Sequence, residues 1–400
     1  MKILSIINIS NPDDLECDSG VIFQKILASE FVKKKDLSYV ILGPDSQAFK
    51  SIEFSGCRKQ VAKLGNTRYE SRFSFDWTTV KYIIEIEKPD VIFNNQVELT
   101  SAIRSLLVTL KNTTTRIVTY CHYPAIWSID SSSKPILDGS LNHENLGVPI
   151  IFRILSALLT TDIFITQSHF AKYLLTQTAL YHRLQLHKEI TVIPPPADPS
   201  LTKVKLKAAP KSKQILYNHR LYESYGTNEF LQFIQQSEAL DFELIISNPM
   251  PSRSKERLSL NNTPDYFRKL FNNLPYAKTV NGNISRDKYA KIIGNSRLAF
   301  ASMRKACVWS MAAIDCMDIG VPVLAPRYAA YPEFIPSELL FDTKEGAYSL
   351  LEKLLNDDNF WKHCSKRCQD ITQNFSSSII ADRFYKSFQK SSRETTKCVV

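Results

Sequence analysis

Ala299-Phe-Ala-Ser-Met-Arg-Lys-Ala-Cys-Val-Trp-Ser-Met-Ala-Ala-Ile-Asp-Cys-Met-Asp-Ile-Gly-Val-Pro-Val-Leu-Ala325 joins a short apolar run to a helix-length stretch and then to a second short run. The runs at 297–301 and 321–325 have the length and near-continuous apolarity of strands buried on both faces. Ser310 stands where its hydroxyl can cap the intervening helix, and Gly320 where the helix can end. Strand, helix and strand in succession form the unit of a parallel α/β sheet.

The same alternation runs outward in both directions. In the first half, Ile- and Val-rich runs at 3–9, 38–42, 90–93, 116–121, 162–166 and 189–193 read as buried strands, with helix-length segments at 21–34, 98–110, 149–159 and 168–180. In the second half, strands are expected at 214–217, 242–247, 278–280, 297–301 and 321–325, separated by helices near 228–236, 264–272, 286–293 and 310–319. Helices at 344–355, 358–372 and 377–390 close the chain. Between the halves, proline interrupts residues 203–213 and five lysines repel one another, as in a linker. The expected fold class is α/β, with two doubly wound Rossmann-like domains facing each other across a cleft. Residues 1–198 form the first domain, 199–213 the linker, 214–376 the second domain, and 377–400 a C-terminal helix and tail.

Composition agrees with two folded domains. The chain has 400 residues, 44% hydrophobic and 22% charged, which excludes disordered, collagenous and small disulfide-stapled classes. Its longest apolar stretch, 146–166, is broken by Arg153 and Asp162, so no transmembrane segment is expected. The N-terminal MKILSIINIS runs at once into Asn, Pro and acids without a signal-peptide core, which points to a cytoplasmic protein. The eight cysteines are scattered except for Cys364 and Cys368, one helical turn apart, and no second ligand pair matches them, so no metal site is expected. The net charge of +10 is concentrated after residue 198, where 29 Lys and Arg face 20 acids. That balance suits an anionic partner such as a nucleotide, a nucleic acid or acidic headgroups; a solvated basic face accounts for it equally.

Open α/β sheets bind ligands beyond the carboxyl ends of their strands. Arg220 follows the strand at 214–217 and precedes a glycine turn at Gly226, a place suited to gripping a diphosphate; the rival reading pairs it with Glu223. Arg304 and Lys305 lie just before the N-terminus of the 310–319 helix and form a second anion site with it. Asp315 lies inside that apolar helix, where a carboxylate costs stability unless it is paired, wetted or accepts the hydrogens of a diol such as ribose. His122 ends the strand at 116–121 ahead of Tyr123 and Pro124, placed to bond a sugar hydroxyl or carry a proton, or else to serve a structural role. Asn94, Asn95, Gln96 and Glu98 follow another strand and are candidate acceptor-side groups. The amphipathic stretch 150–159 suits either a membrane surface or its own sheet.

Val-Ile-Pro-Pro-Pro-Ala-Asp198, Ile-Leu-Tyr-Asn-His-Arg220-Leu with Gly226, Asp315-Cys-Met-Asp-Ile-Gly320-Val-Pro-Val-Leu-Ala and Tyr-Pro-Glu333-Phe-Ile together resemble retaining GT-B glycosyltransferases of the glycosyltransferase family 4 kind. The resemblance covers most of the chain and is strongest from 190 to 345. His122-Tyr123-Pro124 is similar to the first domain of dolichol-linked mannosyltransferases in that group. Val308-Trp309-Ser310-Met311 through Asp315, with Asn218-His219-Arg220, is also similar to phage-type enzymes that modify DNA bases.

The resemblance implies a nucleotide-sugar donor, UDP- or GDP-linked, held by the second domain and an acceptor held by the first, with no tightly bound cofactor. Arg220 would bind the diphosphate, Asp315 the ribose, and His122 would lie near the transferred sugar, while Glu333 would be structural or line the donor. It further implies transfer with retention, positive groups stabilising the leaving nucleoside diphosphate. The acceptor is a nucleic acid or a cell-surface glycan or glycolipid. The sequence departs from the pattern twice: Tyr225 replaces a lysine, and Cys307 replaces the first glutamate of the E-x7-E motif. The diphosphate contact then passes to Arg304 or Lys305. The alternative is a non-catalytic module of the same shape that binds a glycan or a partner.

Overall fold

The computed structural model describes residues 1–7, 18–63, 70–137, 146–248, 263–281 and 284–390. The end of the first expected strand at 8–9, Cys17 and the tail beyond 390 lie outside them.

The first domain is a seven-stranded parallel sheet. Its strands are β1 (Lys2–Ile6), β2 (Ser38–Pro44), β3 (Arg58–Ala62), β4 (Val91–Asn94), β5 (Arg116–Cys121), β8 (Ile163–Thr166) and β9 (Thr191–Val192), in the order β3-β2-β1-β4-β5-β8-β9. A small antiparallel pair, β6 (Ile126–Ile129) and β7 (Pro135–Leu137), stands beyond β5. The second domain orders β12 (Ala277–Asn281), β11 (Glu243–Asn248), β10 (Gln214–Tyr217), β13 (Leu298–Phe300), β14 (Val323–Pro326) and β15 (Leu340–Phe341) in a second parallel sheet. In each sheet the order reverses beside the first strand of that domain, so the crevice at that reversal is where a ligand is expected.

Several elements escaped sequence reading, among them β3, β15, the β6–β7 pair and helix Trp77–Glu87. β3 is an edge strand of sequence RKQVA, paired only with β2, and it needs no continuous apolar run. β15 is two residues long. Helix Trp77–Glu87 starts at an Asp76 cap, whose carboxylate accepts from Thr78 and Thr79 N–H groups, and ends at Lys88 with φ of 45°. The strand expected over 189–193 shortens to Thr191–Val192 ahead of Pro194-Pro195-Pro196, which have no N–H to give a ladder.

Helix Ser19–Phe31 and the last helix, Ser377–Gln389, cover one face of the first sheet. Phe384 from the last helix lies 5.6 Å from Phe23, 5.5 Å from Phe93 and 5.4 Å from Tyr120, ring to ring, so the chain's end completes the core of its beginning. The Arg116 guanidinium donates to the carbonyls of Phe388 and Lys390 and holds that return in place. Residues 199–213 lie against the second domain: Pro199–Val204 form a 3-10 turn capped by Asp198, and the Leu206 N–H donates to the Ile319 carbonyl at 2.7 Å. Leu201 is buried in the second-domain core and Val204, Leu206 and Ala209 pack against it, while Pro199, Ser200, Thr202, Lys205 and Lys207 are exposed.

Candidate functional site

Two loops of the second domain meet at the carboxyl ends of β10 and β13. The turn after β10 runs through Arg220 and Tyr225 to Gly226, whose φ of 68° only glycine adopts without strain. A Cβ there would lie 2.6 Å from the Met303 carbonyl oxygen, so the turn abuts the loop carrying Arg304. That loop leads into helix Met311–Ile319, whose N-cap is Ser310: its hydroxyl accepts from the Ala313 N–H at 3.2 Å. Gly320 ends the helix at φ of 104°, as expected.

The first domain faces these loops with the end of β5 and the start of helix Ser19–Phe31. The Arg304 guanidinium lies over two rings, Tyr123 of the first domain at 5.1 Å and Tyr225 of the second at 4.9 Å. Cations are attracted to the negative faces of aromatic rings, about 0.5–2 kcal/mol per contact. Lys305, its neighbour, is exposed. Between these two candidates, the structure brings Arg304 into the cleft.

Arg220 acts electrostatically on Asp18, the N-cap of helix Ser19–Phe31. Asp18 accepts from the Gly20 N–H at 2.9 Å and the Val21 N–H at 3.1 Å. Burial raises its carboxyl above the ordinary range, against the pull of the Val21 N–H and of Arg220. Sequence reading missed Asp18; its signal was an aspartate just before the apolar run at 21–28, the usual cap position.

His122 lines a small cavity of ≈ 40 Å³ with Ile7, Gly20, Val21 and Asn95. Its Nε2 is 3.3 Å from Asn95 Oδ1, and the ring stands edge-on to Tyr120 at 4.4 Å. Burial lowers its pKa to about 4, so the imidazole is neutral at pH 7. Of the other polar residues after β4, Asn94 bonds the Gln96 carbonyl at 2.8 Å and Thr100 Oγ1 at 2.9 Å, and buried Glu98 pairs with Arg72 at 3.0 Å. Asn95 is the one that reaches His122.

Asp315 is 5% exposed and stands neither on a wet face nor alone. Its Oδ2 is 3.4 Å from the Arg286 guanidinium, which also pairs with Asp198 at 2.6 Å. Its Oδ1 is buried without a hydrogen-bond partner among the described residues. Burial raises its carboxyl to about 6, against the attraction of Arg286.

Two further residues take structural places. Cys307, the residue that the resemblance matches to the motif's first glutamate, is a buried thiol of the second-domain core at 3% exposure. Glu333 accepts from the His169 N–H through Oε2 and from the Phe170 N–H through Oε1, both at 2.7 Å. It thereby caps helix His169–Tyr181 of the first domain, whose own cap is Ser168, and works as a contact between domains. Val308 inserts from the second domain into an apolar cluster of the first.

The amphipathic helix Gly147–Thr160 packs on its own sheet through Ile150, Ile154, Leu155 and Leu158, and leaves Val148, Phe152 and Leu159 exposed. No helix among the described residues is long and apolar enough to cross a membrane. No group of acids, His and Cys among them could hold a metal ion.

No family model and no curated protein matches the sequence. Solved structures do match over nearly the whole chain. Sucrose-phosphate synthase from Thermosynechococcus elongatus aligns over 97% of this chain and 98% of its own, with 15% identity and a TM-score of 0.69. Anabaena HepE, solved in complex with UDP and glucose, aligns over 97% and 99%, with 13% identity and a TM-score of 0.68. The catalytic domain of starch synthase IV from Arabidopsis thaliana, bound to ADP and acarbose, aligns over 97% and 98%, with 14% identity and a TM-score of 0.66. The chain therefore has the two-domain GT-B fold of these glycosyltransferases.

Proposed function

We propose that the protein is a glycosyltransferase that moves a sugar from a nucleotide-sugar donor, UDP- or GDP-linked, to an acceptor with retention of configuration. The observation that carries this reading is that Arg220, which acts on Asp18 of the first domain, Arg304 between Tyr123 and Tyr225, and the capped N-terminus of helix Met311–Ile319 all lie on abutting loops at the strand ends of a GT-B fold. Two guanidinium groups and a helix N-terminus suit a departing diphosphate, and fixed positive groups need no reorganisation as charge develops. In the transfer the bond from the anomeric carbon to the phosphate oxygen breaks, the bond to the acceptor oxygen forms, and the acceptor proton passes to the leaving phosphate. Neutral His122 is suited to hydrogen-bonding the transferred sugar. The solved neighbours support the donor class: HepE was solved with UDP-glucose and starch synthase IV with ADP.

The acceptor is a nucleic acid or a membrane-associated glycan. Exposed Val148, Phe152 and Leu159, beside exposed Leu180 and Tyr181, favour the membrane-associated glycan. Calorimetric titration of wild type and Arg220→Ala with UDP, GDP and their sugar conjugates tests the donor site. Binding of one nucleotide that the variant loses supports the enzyme. Absence of binding in the wild type favours a non-catalytic glycan- or partner-binding protein of the same shape.

A further inference from the structure

Asp198 stands where the chain leaves the first sheet for the second domain, and Asp315 stands on the helix that closes the donor side of the cleft. A single guanidinium, Arg286, joins them, at 2.6 Å from Asp198 Oδ2 and 3.4 Å from Asp315 Oδ2. The Tyr289 ring lies 4.9 Å beneath that guanidinium, and the Tyr289 hydroxyl accepts from Asn218 Nδ2 at 2.8 Å, two residues before Arg220. Arg286 and Asp198 also line a cavity of ≈ 410 Å³ between helix Ser19–Phe31 and the start of helix Arg286–Asn295, whose wall includes Lys25, Ser29 and Asp287.

We propose that Arg286 is a positioning residue for the donor nucleotide: it aims the free Oδ1 of Asp315 and shares its charge between that carboxylate and the interdomain Asp198. The inference rests on the reading of Asp315 as the ribose-binding group. One cation between two carboxylates leaves Asp315 incompletely neutralised, and its second oxygen has no partner among the described residues, an arrangement that costs energy unless a donor hydroxyl supplies the missing hydrogen bond. The groups facing Asp315 are Arg286 and Tyr289 on one helix, Asp198 at the domain junction and Cys316 beside it. Burial and Asp198 favour its protonated form, Arg286 and the Tyr289 hydroxyl its ionised form, so removing Arg286 or Asp198 moves its titration in opposite directions.

The test is calorimetric titration of UDP and GDP against wild type, Arg286→Gln, Arg286→Lys and Asp198→Asn at pH about 5 and about 8.5, either side of the carboxyl's titration at about 6. Arg286→Gln is expected to lose about tenfold more affinity at the lower pH than at the higher, equivalent to one pKa unit. Arg286→Lys is expected to restore most of that difference. Asp198→Asn, which leaves Arg286 to Asp315 alone, is expected to flatten the pH dependence, and it remains informative if Arg286→Gln does not fold. Equal losses at both pH values, or the same direction of change in Arg286→Gln and Asp198→Asn, would overturn the inference while leaving nucleotide binding intact. A wild type that binds neither nucleotide at either pH removes the donor reading itself, and this assignment with it.

Discussion

The guanidinium of Arg304 lies 5.1 Å from the centre of the Tyr123 ring, although the two residues belong to different domains. The same guanidinium lies 4.9 Å from the centre of the Tyr225 ring, at the position that the resemblance matches to a lysine. Tyr225 thus supplies a ring against which the Arg304 cation lies in the cleft. Arg304→Ala is expected to weaken nucleotide binding by about tenfold or more, roughly 1.4 kcal/mol, and Lys305→Ala to leave it unchanged. Tyr225→Phe should keep affinity and Tyr225→Leu should lose it, because the ring face and not the hydroxyl faces the cation. Calorimetry on the four variants checks this; equal losses for Arg304→Ala and Lys305→Ala would contradict it.

His219 is buried beside Arg220, and its Nε2 is 3.0 Å from the Phe300 carbonyl oxygen, which only accepts, so Nε2 carries the proton. Burial lowers its pKa to about 4, below the ordinary value of 6.5. Between those values the unfolded chain binds the proton and the native chain does not. The contribution is therefore complete above about pH 6.5 and is lost as pH falls toward about 4, on the order of 3 kcal/mol. His219→Gln, which keeps a donor for that carbonyl, should flatten the fall in melting temperature across this window. A melting series as steep as that of wild type would show that another group dominates.

The sheets were legible because buried parallel strands are apolar on both faces: β5 and β10 have the bounds expected from their sequence. The cap at Ser310 and the stop at Gly320 were legible because each is a local, chemically specific signal. The site was legible only in part. Arg220 and Arg304 stood out as cations at strand ends, but nothing local in the sequence connects Arg304 to Tyr123, Arg286 to Asp198 or Glu333 to the His169 N–H. Those contacts join segments far apart in the chain. Asp18 was overlooked because a lone aspartate before a helix reads as a cap, and it is one; its proximity to Arg220 comes from the apposition of the domains.

Gly226→Ala tests the contact between the loop carrying Tyr225 and the loop carrying Arg304. With φ of 68° and a Cβ 2.6 Å from the Met303 carbonyl oxygen, alanine must strain the backbone and push against main chain that cannot rotate away. A loss of about 1–3 kcal/mol is expected, together with weaker nucleotide binding as Tyr225 leaves Arg304. Gly346→Ala is the control. It lies in helix Lys344–Asn356, where the nearest atom to a new Cβ is 3.5 Å away, so alanine should stabilise by about 0.5–1 kcal/mol. Denaturant melts of both variants measure the contrast, and a neutral Gly226→Ala would remove the argument for close packing there.

Glu333 accepts two backbone N–H groups of the other domain, both at 2.7 Å, yet sits at the surface. An exposed carboxylate at a helix N-terminus gains from the positive end of the helix dipole as well as from the two bonds. Because both bonds cross between domains, their loss should act on the closed arrangement and not on either core. Glu333→Gln keeps one acceptor oxygen and removes the charge, whereas Glu333→Ala removes both bonds. The expected order of interdomain protection is wild type, then Gln, then Ala, read as faster hydrogen exchange at the His169 and Phe170 amides, with the exchange of β10 and β13 unchanged. If Glu333 instead lined the donor, nucleotide affinity would fall in Glu333→Gln with those two amides still protected, a pattern that would assign it to the binding site.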